Sequence, residues 1–373
     1  MAQRTAVVIG AGIGGLAAAL ALHRRGWRVE VRERSARLEP VGAGIALAPN
    51  AVKALDVLGL GEFLGRAAVI QGSGGVRRPD GSWLVRTDLG LVQARFGRPL
   101  LVVPRPELVE ALVAQLPQDA VRPAAPVSGL DDLEADLVVA ADGIRSKVRA
   151  TLFPEHPGPR YAGFTAWRMI VDVPRGVRIE PAETWGRGAV FGIVPLAGNR
   201  AYCYGTANQA AGVEFPDEKA ALLGRFADWH EPIPTLMREV SADGLLRNDI
   251  WELGEPLPRY HEGRAAILGD AAHAMTPNLG QGGCQAIEDA VVLAHSMSPA
   301  ADLAAGLAAY SAARVARTSR IAAQSARTGR MQQMEGPIRI ALRDTGIRLA
   351  GKTGPGLMLR QMTPLLSWTP PTD

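Results

Sequence analysis

Lysine is scarce in this chain: of 41 basic residues, only Lys53, Lys147, Lys219 and Lys352 are lysines. The positive charge is therefore arginine, and it nearly balances 37 acids, leaving +4 over 373 residues. No run of like charge and no basic stripe interleaved with aromatics occurs, which argues against nucleic acid as a partner. Cysteine is nearly absent as well. Cys203 and Cys284 lie far apart with no C-x-x-C pair, so a disulfide framework and a dithiol reductase are excluded. A cytoplasmic location fits, and one Cys203–Cys284 bridge stays open as an alternative. No metal-ligand set is present. Aromatics make up only 5%, yet 47% of the residues are hydrophobic, enough for more than one core and too many for a disordered chain.

Long apolar runs are missing too, with one apparent exception. Thr5 to Leu22 carries no charge, but Gly10, Gly12, Gly14 and Gly15 interrupt it. It divides into a β-rich piece, Ala6–Ile9, and an alanine- and leucine-rich helical piece, Leu16–Leu22. A second strand, Arg28–Arg32, follows. Strand, glycine turn, helix and strand make a βαβ unit rather than a signal peptide or a membrane span.

Within that unit Gly10-Ala11-Gly12-Ile13-Gly14-Gly15 fits G-x-G-x-x-G. The first glycine permits the turn, the second lets the backbone approach a pyrophosphate, and the third lets helix pack on strand. The helix N-terminus then offers its unpaired N–H groups to the phosphates. Glu33 ends the next strand, 23 residues after Gly10, where an acid accepts from ribose hydroxyls and disfavours a 2′-phosphate.

Two later segments repeat the strand-to-turn layout. One runs from Asp136 through Leu-Val-Val-Ala-Ala to Asp142-Gly143 and on through Arg145-Ser146-Lys147 to Arg149. The other runs from Arg264 through Gly269-Asp270 and His273 to Thr276-Pro277-Asn278-Leu279-Gly280-Gln281-Gly282-Gly283. A good helix, Cys284–Ala294, follows. Alone, Asp142-Gly143 would read as a hairpin turn.

Together the three motifs resemble the single-component FAD-dependent monooxygenases of the para-hydroxybenzoate hydroxylase type. The resemblance extends to the lineage of urate, 3-hydroxybenzoate and 6-hydroxynicotinate hydroxylases and zeaxanthin epoxidase. Arg105 in Arg-Pro-Glu-Leu, Tyr161 to Arg168, Phe191-Gly-Ile-Val-Pro195-Leu and the tail Tyr310-x3-Arg314-x2-Arg317-Thr318-x2-Ile321 fit as well.

The resemblance implies an α/β fold: a Rossmann-like, GR2-type FAD-binding domain, an inserted β-sheet substrate domain and a C-terminal helical segment. Residues 1–70, 95–160 and 252–330 would form the first, 71–94 and 161–251 the second, and 331–373 the last. Gly10, Gly12, Ile13, Gly14, Gly15 and Glu33 would hold the ADP half of FAD. Arg34 and Arg105 would lie along the pyrophosphate and ribityl chain. Asp142 would serve flavin and nicotinamide binding, and Gly269-Asp270 the ribityl hydroxyls. Pro277, Gly280, Gln281, Gly282 and Gly283 would present main-chain amides to the pyrimidine edge of the ring. Gly42-Ala43-Gly44-Ile45 would cover the other edge, and His273 would hold a structural turn.

The reaction implied consumes NADH or NADPH and molecular oxygen. Through a flavin C4a-hydroperoxide it delivers an electrophilic OH to a small aromatic or heteroaromatic ring. An epoxidase or Baeyer–Villiger-type oxygenase on the same scaffold is the runner-up, and a non-catalytic flavin-binding redox sensor the reading from another class. A monomer or homodimer is expected.

The substrate side reads as strands Ala166–Val171, Ala189–Val194 and Ala201–Thr206 with a helix near Glu218–Trp229. Tyr202, Tyr204 and Phe191 are the candidate ring contacts, with ordinary sheet packing an equal reading. No catalytic residue is assigned. The stretch Gly188-Ala189-Val190-Phe191 lacks the arginine of the urate-hydroxylase lineage, which argues against urate. The interval between Pro117 and Asp142 is short for the family, so part of a small sheet is expected to be missing. In the tail, Met334, Ile338, Leu342, Leu349, Leu357 and Leu365 suggest helices packed back on the body, a membrane-surface helix being the weaker alternative.

Overall fold

The computed structural model describes residues 3–38, 44–70, 72–298, 302–352 and 354–372. Three sheets organise the chain. The first has the order β15 (His261–Glu262), β16 (Ala265–Ile267), β9 (Leu137–Ala140), β1 (Thr5–Ile9), β2 (Arg28–Arg32) and β8 (Val121–Arg122). All its pairings are parallel except β15 with β16. The sequence Leu137-Val-Val-Ala is buried throughout, as befits a parallel strand covered on both faces.

The first helix (Ile13–Arg24) packs against this sheet, and the helix Gly282–Ser296 packs against that helix. Alanine and glycine let them cross closely. A Cβ on Gly14 would come within 3.0 Å of both Ala286 Cβ and Leu268 Cδ1. No strand forms between Arg122 and Leu137, consistent with the short interval before Asp142.

The second sheet has seven strands in the order β14 (Leu246–Leu253), β10 (Pro159–Asp172), β13 (Arg200–Asn208), β12 (Ala189–Leu196), β11 (Ala182–Trp185), β5 (Ser73–Arg77) and β6 (Trp83–Asp88). Its pairs are antiparallel except β5 with β11. One face is sealed by the helices Glu218–Phe226 and Ile233–Glu239, where Trp167, Phe191, Cys203, Leu222, Phe226 and Leu236 form a closed apolar core. The other face carries Tyr202 and Tyr204.

The third sheet, β3 (Gly44–Leu47), β7 (Leu101–Pro104) and β4 (Ala68–Val69), sits between the other two. The long helix Leu303–Gln332 and the helices Pro337–Lys352 and Pro355–Leu366 complete the molecule. The tail packs differently from its apolar pattern. Leu365 is buried, but Ile338, Leu342 and Leu349 are 75%, 69% and 58% exposed. The helix 337–352 meets β6 through Gly351, against Val85, and the turn after β5 through Asp344, which pairs with Arg78 at 2.8 Å. The Leu357 side chain lies outside the described residues. No helix among the described residues is long and apolar enough to cross a membrane.

Candidate functional site

The strand β1 delivers Gly10 with φ +102°, a conformation that excludes most side chains, and a Cβ there would strike Ala141 O at 2.5 Å. The turn thus brings the first glycine loop against Asp142. A Cβ on Gly15 would lie 2.0 Å from Gly10 O, so helix and strand need glycine for their own packing. Gly12 differs. Its backbone is ordinary extended chain and a Cβ would meet no protein atom within 4 Å. The protein's packing does not require glycine there, whereas a closely approaching pyrophosphate does. The side chain of Ile13 is buried in the core and Gly14 serves the helix crossing, so these two can offer a ligand only main chain.

Glu33 accepts from Ala11 N at 2.8 Å and from Ser35 N at 2.9 Å. Burial pushes its carboxyl up, but those amides and the neighbouring Arg34 win, and it stays below the usual range. It is an ionised acceptor fixed beside the glycine loop. Arg34 and Arg105 are both exposed. Arg105 heads the helix Arg105–Val113 directly after Pro104, which pairs with Gly44.

Asp142 uses one carboxylate oxygen to accept from Lys147 N and Val148 N, at 2.9 and 3.3 Å. Its Oδ1 is buried without a partner, and so is available to a ligand. Buried Arg149 clamps the second motif to the third by donating to Ile144 O and Ala271 O, at 2.7 and 3.0 Å. Asp270, Pro277 and Gly280 are exposed, and Gly282 and Gly283 half-buried, at the N-terminus of a 15-residue helix. Gly280 has φ +62° and its Cβ would also meet nothing within 4 Å. The Gln281 side chain turns inward instead, accepting from Asn50 and Gln285 at 3.0 Å each.

Beneath this corner lies a buried ionic cluster that sequence reasoning did not anticipate. Asp289 accepts from Gly269 N at 2.9 Å, His273 Nε2 at 2.5 Å and Arg314 Nε at 2.6 Å. Burial alone would push Asp289 up, but His273 and Arg314 hold it down at about 2. Glu288 accepts from Arg314, Arg317, Asn50 and Gln285. His273 is therefore a buried structural member, and the tail motif containing Arg314 and Arg317 is the counter-charge of the helix 282–296.

Opposite the glycine corner, Gly44 lies under the Tyr202 ring, where a Cβ would come within 2.7 Å, and Ile45 Cδ1 rests over Gly283. Gly42 and Ala43 lie outside the described residues. Tyr202 and Tyr204, with ring centroids 5.7 Å apart, are half-buried on the face of the sheet away from the two sealing helices. Phe191 does not join them. It pairs with Gly205, whose alternation faces the other side, and meets Phe226 edge-to-face with ring centroids 5.2 Å apart. Cys203 and Cys284 are free buried thiols, each pushed up to about 12 by burial; no bridge forms.

The sheet face that carries these tyrosines is laid out in rows across the strands. Ile170, Tyr202 and Val194 are mutual partners in one row; Arg168, Tyr204, Gly192 and Glu183 occupy the next. Glu183 was not anticipated. It accepts from Tyr204 Oη at 2.5 Å, Trp185 Nε1 at 2.8 Å and Gln332 Nε2 at 2.9 Å, and burial raises its carboxyl. Asn278 donates to Gln332 in turn, linking roof and glycine corner.

Comparisons with known proteins agree on the fold and the family. A family profile described as FAD binding domain matches residues 113–325, and one for an NAD(P)-binding Rossmann-like domain matches 8–38. The chain is 39% identical to the aurachin C monooxygenase/isomerase of Stigmatella aurantiaca, covering 92% of this chain and 94% of that protein. It is 35% identical, with the same coverages, to the 2-heptyl-3-hydroxy-4(1H)-quinolone synthase of Pseudomonas aeruginosa. The solved structure of Klebsiella pneumoniae HpxO complexed with FAD and uric acid superposes with a TM-score of 0.88 at 28% identity, covering 96% of this chain and 95% of that one.

Proposed function

The chain belongs to the single-component FAD-dependent aromatic monooxygenases, and on that premise we propose that it hydroxylates a nitrogen-containing bicyclic aromatic ring of the 4(1H)-quinolone type. The observation that carries this reading is the division of the sheet face that carries Tyr202 and Tyr204 into two rows. The Tyr202 row, with Ile170 and Val194, adjoins the apolar cluster of Ile70, Val102 and Leu196. The Tyr204 row is polar, with Arg168 on one side and Glu183 on the other. A flat ring with one apolar edge or alkyl substituent and one polar edge satisfies both. The quinolone synthase, matched over 92% of this chain, points the same way. Urate, polar on every edge, would leave the Tyr202 row without an apolar partner, and residues 188–191 of β12 carry no arginine for it.

FAD, when bound, supplies the redox chemistry, taking hydride from NAD(P)H and passing one oxygen atom of O₂ to the ring. The residues divide the remaining work. The amides following Gly12 and Gly280 would hold the phosphates and the electron-accepting edge of the cofactor, aided by the positive ends of two helices. Asp142 Oδ1 would accept from cofactor or nicotinamide. Gly44 and Ile45, set between Tyr202 and Gly283, would close the cavity against water. The ionic cluster below fixes the corner in place.

The test is turnover by the purified, FAD-loaded enzyme with NADH and NADPH. The expected result is that 4(1H)-quinolone accelerates NAD(P)H oxidation and gains one oxygen by mass spectrometry, while urate does neither. Acceleration by urate with none by the quinolone would overturn the substrate reading.

A further inference from the structure

Strands β11, β12 and β13 place Glu183, Gly192 and Tyr204 in register on one face of the sheet. The middle residue has to be glycine: a Cβ on Gly192 would fall 2.1 Å from the Tyr204 ring. Without it, the phenol lies across β12 and reaches the carboxylate one strand further on. The other oxygen of Glu183 is fixed by two donors, the Trp185 indole, which can only donate, and the Gln332 amide. All three neighbours give Glu183 hydrogens, and among the described residues no ion pair neutralises it. Arg168, facing Tyr204 from β10, directs its guanidinium to Asn248 and Tyr202 instead.

We propose that Glu183 is a specificity-determining residue that sets, through Tyr204, the hydrogen-bonding polarity of the cavity, so that the site selects rings presenting an N–H or O–H donor. The proposal deepens the substrate reading above and rests on it. As the two groups are placed, the phenolic hydrogen is committed to Glu183 Oε1, and Tyr204 can offer a ligand only its lone pairs. With a neutral amide at that position, whose nitrogen faces the phenol and can only donate, the hydrogen bond runs the other way. The residue at 183 donates to the phenol, and the phenolic hydrogen turns to the cavity as a donor. Glu183→Gln reproduces this neutral state without disturbing the rest, since its amide oxygen can still accept from Trp185 and Gln332. Glu183 thus acts as a positioning residue, and Tyr204 touches the ligand.

The experiment titrates the FAD-loaded full chain, following the flavin absorbance, with two probes on one skeleton. These are 4(1H)-quinolone, which carries a ring N–H, and 4-methoxyquinoline, whose ring nitrogen carries a lone pair. The wild-type enzyme is expected to bind the N–H probe about tenfold more tightly, the worth of one well-placed hydrogen bond. E183Q is expected to reverse the order, an outcome that a merely structural role would not produce. Tyr204→Phe, which keeps the acid at 183 and removes only the phenolic hydroxyl, is expected to bring the two affinities within about twofold of each other. FAD stoichiometry and melting temperature verify each variant, and where E183Q fails to hold FAD, Y204F decides. Wild-type discrimination persisting in the folded variants overturns the assignment alone. A wild-type flavin indifferent to both probes overturns the substrate reading and this assignment with it.

Discussion

Gly12 and Gly15 are the same residue type under two different demands. Gly15 is required by the protein itself, because any Cβ would collide with Gly10 O. Gly12 has ordinary backbone angles and open space beside it, so the protein's own packing does not require it. Gly12→Ala should therefore cost the apo protein about 1 kcal/mol or less, the scale of a changed N-cap, yet weaken FAD by at least about tenfold, or roughly 1.4 kcal/mol. Gly15→Ala should cost the apo fold about 3 kcal/mol, the upper range for overpacking. Urea denaturation without cofactor and FAD titration separate the two effects; equal apo losses would show that Gly12 is structural after all. The spacing of both glycines was legible in the sequence because the turn that needs them is local. Glu183 was not legible. Its partners Tyr204 and Gln332 stand 21 and 149 positions away, and only strand register brings them together.

Helix Gly282–Ser296 carries adjacent acids, Glu288 and Asp289, into the interior, and the long helix answers with Arg314 and Arg317. The four charges balance, and the Gly269 amide and His273 close the remaining acceptor positions on Asp289. Removing one member leaves a charge stranded in low dielectric. Arg314→Met should lower stability by about 3–5 kcal/mol, a large part of the 5–15 kcal/mol typical of a whole domain. Arg317→Met should cost less, because its guanidinium reaches the surface and Arg314 still pairs Glu288. Urea denaturation that ranked Arg317 above Arg314 would refute this picture of a closed cluster. In the sequence the tail arginines could be seen as a pattern, but nothing told which acids they met. Phe191 failed for a related reason. Alternation within β12 is easy to read, whereas the face it shares with β13 depends on a register set by turns.

At the scale of the molecule, the Rossmann-like sheet and the seven-stranded roof face one another across β3 and β7, and the C-terminal helices brace that arrangement. Where they grip was misread from apolar spacing alone. Helix 337–352 turns Ile338, Leu342 and Leu349 to solvent and holds on through Asp344–Arg78, Gly351 against Val85, and Arg343 over the Trp185 ring at 5.6 Å. The last helix does the apolar packing. Leu365 and Leu366 are 5% and 2% exposed, and the carbonyls of Pro364 and Leu365 accept from Arg317, so the tail is tied to the Glu288 cluster and through it to the glycine corner. Leu365→Ala should therefore destabilise the enzyme by about 2–5 kcal/mol and loosen FAD as well, since the arginine it orders supports the corner. Leu342→Ser should stay within about 0.5 kcal/mol of the native chain with FAD affinity unchanged. Denaturation and FAD titration of both variants make the comparison. If the exposed leucine proves the costlier loss, the 337–352 face must be covered in solution, and the bracing role passes from the last helix to that one.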